Sequence, residues 1–66
     1  MRNVIVIFAD GVSHIFENCK DFEYVAQFGV FYVNKNGSRI MIPRERVLFI
    51  GFEEDVYEPD KGGLQS

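Results

Sequence analysis

FGVFYVNKNGSRIMIPRERVLFI, residues 28–50, places Asn36-Gly37 between two runs of apolar, β-branched and aromatic residues. A type I′ turn needs positive φ at both central residues, which Asn and Gly adopt at least cost, so the pair predicts a β-hairpin with a two-residue loop. With that loop Lys35 pairs with Ser38, and pairing continues outward as Asn34 with Arg39, Val33 with Ile40, Tyr32 with Met41 and Phe31 with Ile42. Side chains alternate at period two, so Phe31, Val33, Ile40 and Ile42 share one face, which is the expected core. The opposite face carries Val30, Tyr32, Asn34, Arg39 and Met41. Pro43 has no N–H for a ladder and is expected to end its strand or lie at an edge. Pro43-Arg44-Glu45-Arg46 then reads as a turn or a single 3₁₀ turn, and 47–52 resume as a strand.

Upstream, NVIVIFA (3–9) is apolar at every position from Val4 on, the pattern of a strand buried on both sides or lying at a subunit contact. Asp10-Gly11 is a second turn signal. Read as a two-residue loop, it pairs Ala9 with Val12, Ile7 with His14 and Ile5 with Phe16 on one face, and Phe8 with Ser13 and Val6 with Ile15 on the other. The polar stretch ENCKD (17–21) predicts a break before Phe22. FEYVAQ (22–27) reads as a strand leading through a bulge or bend at Gly29, with a short helix capped by Asn18 or Asp21 as the alternative. The expected strands are therefore 3–9, 12–18, 22–35, 38–43 and 47–52. From Glu53 the chain turns acidic and acquires Pro59 and Gly62-Gly63. Residues 1–52 are thus the expected folded domain, and 53–66 an acidic, disordered tail.

Bulk composition narrows the class. In 66 residues there is one cysteine and one histidine, which excludes an internal disulfide and a Cys/His zinc cluster, and points to a reducing, cytoplasmic setting. The apolar run 4–9 is too short for the core of a secretory signal or for a bilayer span. A net charge of −3 argues against generic nucleic-acid binding, whose affinity comes largely from phosphate neutralisation by Lys and Arg. At 47% hydrophobic and 15% aromatic, the chain carries more apolar surface than so small a domain encloses, so self-association or a protein partner is expected.

Catalysis has little to stand on. His14 reads as a structural or surface imidazole, and no arrangement that would activate Cys19 as a nucleophile can be read from the lone His14/Cys19 pair. Glu53, Glu54, Asp55, Glu58 and Asp60 do not follow the EF-hand spacing. There is no Gly-rich phosphate loop. No enzyme activity, metal or cofactor is expected. Because aromatic and large flexible side chains anchor protein contacts, Tyr32, Met41, Phe49 and Phe52 are the candidate protein interface. Lys35, Arg39, Arg44 and Arg46 form a second candidate set. They read either as solvated loop residues or as a contact for phosphate, RNA or an acidic partner, with Tyr32 or Phe49 stacking on a base.

Strands this short protect their edges by curling into a barrel. VIVIFADG (4–11) looks like the first strand of an Sm-like protein entering its Gly turn. RIMIPRERVLFI (39–50) looks like the closing strand pair, in which a short 3₁₀ turn separates strands four and five. On these residues the chain resembles small SH3-like barrels of the Sm-like variety, and the resemblance implies an all-β, five-stranded SH3-like barrel. It is also similar to short uncharacterised proteins of bacteria and their phages. The expected function is a non-enzymatic protein-interaction module, self-associating as a homo-oligomer or binding a larger host protein as a phage-type inhibitor or adaptor. The alternatives are an Sm-like ring binding single-stranded RNA, and an oligomer that holds a small anionic ligand between subunits.

Overall fold

The computed structural model describes residues 1–56 and is all-β apart from two short helical turns. Its strands are β1 (Arg2–Phe8), β2 (Ser13–Val25), β3 (Val30–Lys35), β4 (Ser38–Pro43) and β5 (Val47–Phe52). A 3₁₀ turn, η1 (Arg44–Arg46), joins β4 to β5, and a helical turn, α1 (Glu53–Val56), follows β5. The strands form one antiparallel sheet in the order β4-β3-β2-β1-β5.

The β3–β4 hairpin has the expected register, from Lys35 opposite Ser38 through Phe31 opposite Ile42, but not the expected type I′ turn. Gly37 takes a φ of 90° while Asn36 keeps a non-positive φ, the pattern of a type II turn, which needs glycine at its second central position only. Pro43 closes β4 on an edge of the sheet, opposite Val30, where its missing N–H breaks no ladder.

The first hairpin differs from expectation by one residue. Gly11 N–H donates to the Phe8 carbonyl at 2.8 Å, and Phe8 N–H donates to the Val12 carbonyl at 2.7 Å. Asp10-Gly11 therefore belongs to a three-residue loop, Ala9-Asp10-Gly11, with Gly11 at φ 94° supplying the left-handed position that such a loop needs. Ile7 consequently faces Ser13, Val6 faces His14, Ile5 faces Ile15 and Val4 faces Phe16. A one-residue slip exchanges the faces of a strand, so His14 and Phe16 lie beside Val4 and Val6 rather than beside Ile5 and Ile7.

The break expected at 17–21 is absent. β2 runs through it from Ser13 to Val25, with register shifts on both neighbours around Asn18-Cys19-Lys20 and Asn18 at φ 58°. A bulge absorbs the irregularity without ending the strand. Asn3 secures it, its side-chain oxygen accepting from the Asn18 N–H at 3.2 Å. The expected strand 22–35 is in turn divided: Phe22 to Val25 belong to β2, and Ala26 to Gly29 make the turn into β3. Gly29, at φ 64°, ends that turn, its N–H donating to the Val25 carbonyl at 2.9 Å. The described structure also extends past the boundary expected at 52, since α1 lies within the tail; residues 57–66 fall outside the described residues.

β4 and β5 are sequence neighbours yet occupy opposite ends of the strand order. Five flat strands at about 4.8 Å spacing would hold those edges roughly 19 Å apart. A 3₁₀ segment advances only about 2 Å per residue, so the sheet must curl to let η1 connect them. Two bonds fix the curl: Ala9 N–H donates to the Arg46 carbonyl at 2.8 Å, and Arg44 N–H donates to the Gly29 carbonyl at 2.9 Å. Inside the curl lie Val4, Val6, Cys19, Val33 and Ile42, flanked by partly buried Phe8, Phe16, Phe22, Ile40, Val47, Ile50 and Phe52. The Phe22 and Phe52 rings meet at 5.0 Å, and the Arg2 guanidinium covers Phe52 at 3.5 Å from its centroid.

Candidate functional site

The two sheet edges are chemically unlike. On β4 the two-residue loop makes Lys35/Ser38 the closing hydrogen-bonded pair, so alternation turns the backbone groups of Arg39, Met41 and Pro43 outward. That edge contains a charge and a proline, both of which discourage strand addition. On β5, VLFIGF, there is neither. Phe8 spends its N–H on Val12, so Ile7 and Ile5 direct their backbone groups toward β5, where they face Phe49 and Gly51. Alternation then leaves Ile50 and Phe52 with N–H and C=O groups facing away from β1.

Exposed apolar side chains lie along this unprotected edge. Leu48 sits at the register shift between β1 and β5 and is 70% exposed, and Phe49 is 42% exposed. A cleft of about 440 Å³ runs beside β5, lined by Phe31, Arg44, Glu45, Val47, Leu48, Phe49 and Ile50. The Phe49 ring lies across Gly51, where a Cβ would come within 3.1 Å of it. On the outer face Ile15 and Gly51 flank Ile5, so half-exposed Ile15 continues the apolar surface across β1 to β2.

Of the four expected interface residues, Tyr32 and Met41 are cross-strand neighbours on β3 and β4, with Met41 exposed and Tyr32 covered by the Arg39 guanidinium at 4.0 Å. Phe49 lies on the opposite edge. Phe52 points into the curl against the core. Leu48 and Ile15 were not singled out by sequence. The unbroken VLFI run was the available signal for Leu48, whereas Ile15 depends on the hairpin register that the three-residue loop shifts.

The four expected basic residues occupy two places. Lys35 and Arg39 flank the β3–β4 tip, where Lys20 joins them around a shallow cleft of about 510 Å³ that also contains Asp21, Asn34, Gly37 and Ser38. Arg39 is already engaged, donating to Glu23 at 2.6 Å and to the Asn34 side-chain oxygen at 3.0 Å. Arg44 and Arg46 lie on η1 at the far end of β4. Lys20 escaped sequence reasoning because it fell in an expected turn; the continuous β2 brings it beside Lys35.

His14 is exposed and meets Phe16 edge-on at 4.5 Å. Cys19 is fully buried, its thiol donating to the Phe16 carbonyl at 3.2 Å. Among the described residues no group of three or more His, Cys, Asp or Glu is placed to hold a metal ion, and no helix is long and apolar enough to cross a membrane. Compared with known proteins, the chain matches no family model, no curated protein and no solved structure.

Proposed function

We propose that this protein is a non-enzymatic interaction module, a small SH3-like barrel of Sm-like character that self-associates or seats on a larger host protein. The barrel reading is supported by the short η1 link between the two sheet edges. The interaction reading is carried by β5: an uncharged, proline-free edge strand with Leu48 and Phe49 exposed beside a cleft. Such an edge, left bare, is a template for uncontrolled strand addition, and a specific partner resolves that liability. The phage-type inhibitor or adaptor expected from the resemblance would be one form of host-protein binding. Molar mass by light scattering, from micromolar to near-millimolar protein, tests the self-association arm. A mass above that of one chain supports it; a constant monomer mass removes it and leaves only a foreign partner.

The Lys20/Lys35/Arg39 cleft favours a second reading, an anion contact at the hairpin tip. Binding of a single-stranded oligonucleotide that weakens with salt and is lost in K20A/K35A would support it. Affinity unchanged by those substitutions would remove it.

A further inference from the structure

The charges that bracket β5 have opposite signs. Before the strand comes η1 with Arg44 and Arg46 against Glu45; after it comes α1 with Glu53, Glu54 and Asp55. Among the described residues Arg2 is the cation paired with the acidic turn, at 2.9 Å from Glu54 and 3.4 Å from Asp55, while Glu53 accepts from the Asn3 side-chain amide at 3.0 Å. Two carboxylates therefore share one guanidinium, and the third has only a neutral partner. The strand between them carries no charge.

Building on the interaction-module reading, we propose that the occupant of the β5 edge is the β5 edge of a second copy, antiparallel about a two-fold axis near Ile50. An antiparallel two-fold contact is self-complementary. Reversing the strand sets the basic turn of each copy against the acidic turn of the other, twice by symmetry. With the axis at Ile50, Leu48 pairs with Phe52 and Arg46 approaches Glu54. The outward N–H and C=O groups of Ile50 and the outward N–H of Phe52 find partners of the same kind, the Phe52 carbonyl being spent on the first turn of α1, and Leu48 and Phe49 close over the cleft beside the strand. A parallel arrangement would instead bring like charges together at both ends. A β4 edge is a poorer occupant, because Pro43 offers no N–H and Arg39 is held by Glu23 and Asn34.

Charge exchange tests this arrangement. Dimer dissociation constants are measured on the full chain by sedimentation equilibrium, with circular dichroism to establish that each variant is folded. R46E alone and E54R alone each place like charges together at two symmetric sites and should weaken the dimer by about tenfold. R46E/E54R restores the opposite-sign pairing with exchanged partners and should return to within about threefold of the parent. Glu54 also meets Arg2, so R44E, which leaves that pair intact, serves as a second weakening variant. Single variants that leave the constant unchanged, or a double variant no tighter than either single, would overturn the arrangement. A larger oligomer whose mass these substitutions do not alter would overturn it while leaving the interaction-module reading standing. A monomer at all concentrations would remove both it and the self-association arm.

Discussion

On the β5 pairing proposed above, Leu48→Lys should weaken self-association strongly while leaving the fold of the single chain intact. Burying a leucine side chain fully is worth about 1.5–3 kcal/mol. Leu48 is 70% exposed, so about 1–2 kcal/mol remains to be gained per copy when a partner covers it. A symmetric contact counts that gain twice, about 2–4 kcal/mol, and lysine at this position forfeits it. The dimer dissociation constant should then rise by about thirtyfold to several hundredfold. Because the leucine makes little contact in the isolated chain, urea unfolding of the dilute monomer should shift by no more than about 0.5 kcal/mol. Sedimentation velocity across concentration and a denaturant titration together make the measurement. An unchanged sedimentation profile would show that Leu48 lies outside the contact. A loss of monomer stability well above 1 kcal/mol would show that it belongs to the core.

Three further outcomes test the fold beneath that surface. Val33 is fully buried, so V33A should cost about 2–3 kcal/mol in urea unfolding, the loss of its methyl groups plus a residual cavity; a cost below about 0.5 kcal/mol would place the core elsewhere. G11A meets no atom within 4 Å but must hold φ 94°, so it should cost about 1–2 kcal/mol for backbone reasons alone, and an unaffected midpoint would contradict the left-handed conformation at Gly11. Cys19, enclosed at the β2 bulge, should react with a thiol reagent only as fast as the chain unfolds globally; rapid modification under native conditions would reveal local opening of the bulge.

What could be read from sequence followed the turns. Asn36-Gly37 specifies one loop length, and the β3–β4 register follows from it; of the expected core face Val33, Ile40 and Ile42 pack in the core, while Phe31 packs on Tyr24 and lines the cleft beside β5. Asp10-Gly11 suits two: a glycine at positive φ closes a two-residue loop or ends a three-residue loop, and the difference of one residue exchanges the neighbours of His14 and Phe16. ENCKD resembles a turn by composition. As an extended segment it hides Cys19 and exposes the charged residues around it, a pattern disguised by the bulge that interrupts period two. The candidate surface was legible where it coincides with composition: Phe49 was anticipated as part of an aromatic surplus. The distinction between a guarded β4 edge and an unguarded β5 edge needs the strand order, which pattern alone does not supply, and Phe52 turns inward because β5 pairs with β1 in the register that places it beside Val4.

Amide hydrogen exchange resolved by residue, recorded at low and high protein concentration, tests the β5 contact most directly. Ile50 and Phe52 direct their N–H groups away from β1, so their exchange should be fast in the dilute chain and slow markedly as protein concentration rises, while Phe49 and Gly51 stay protected throughout. Exchange at Ile50 and Phe52 that stays fast at concentrations where the protein is demonstrably oligomeric would contradict pairing through this edge.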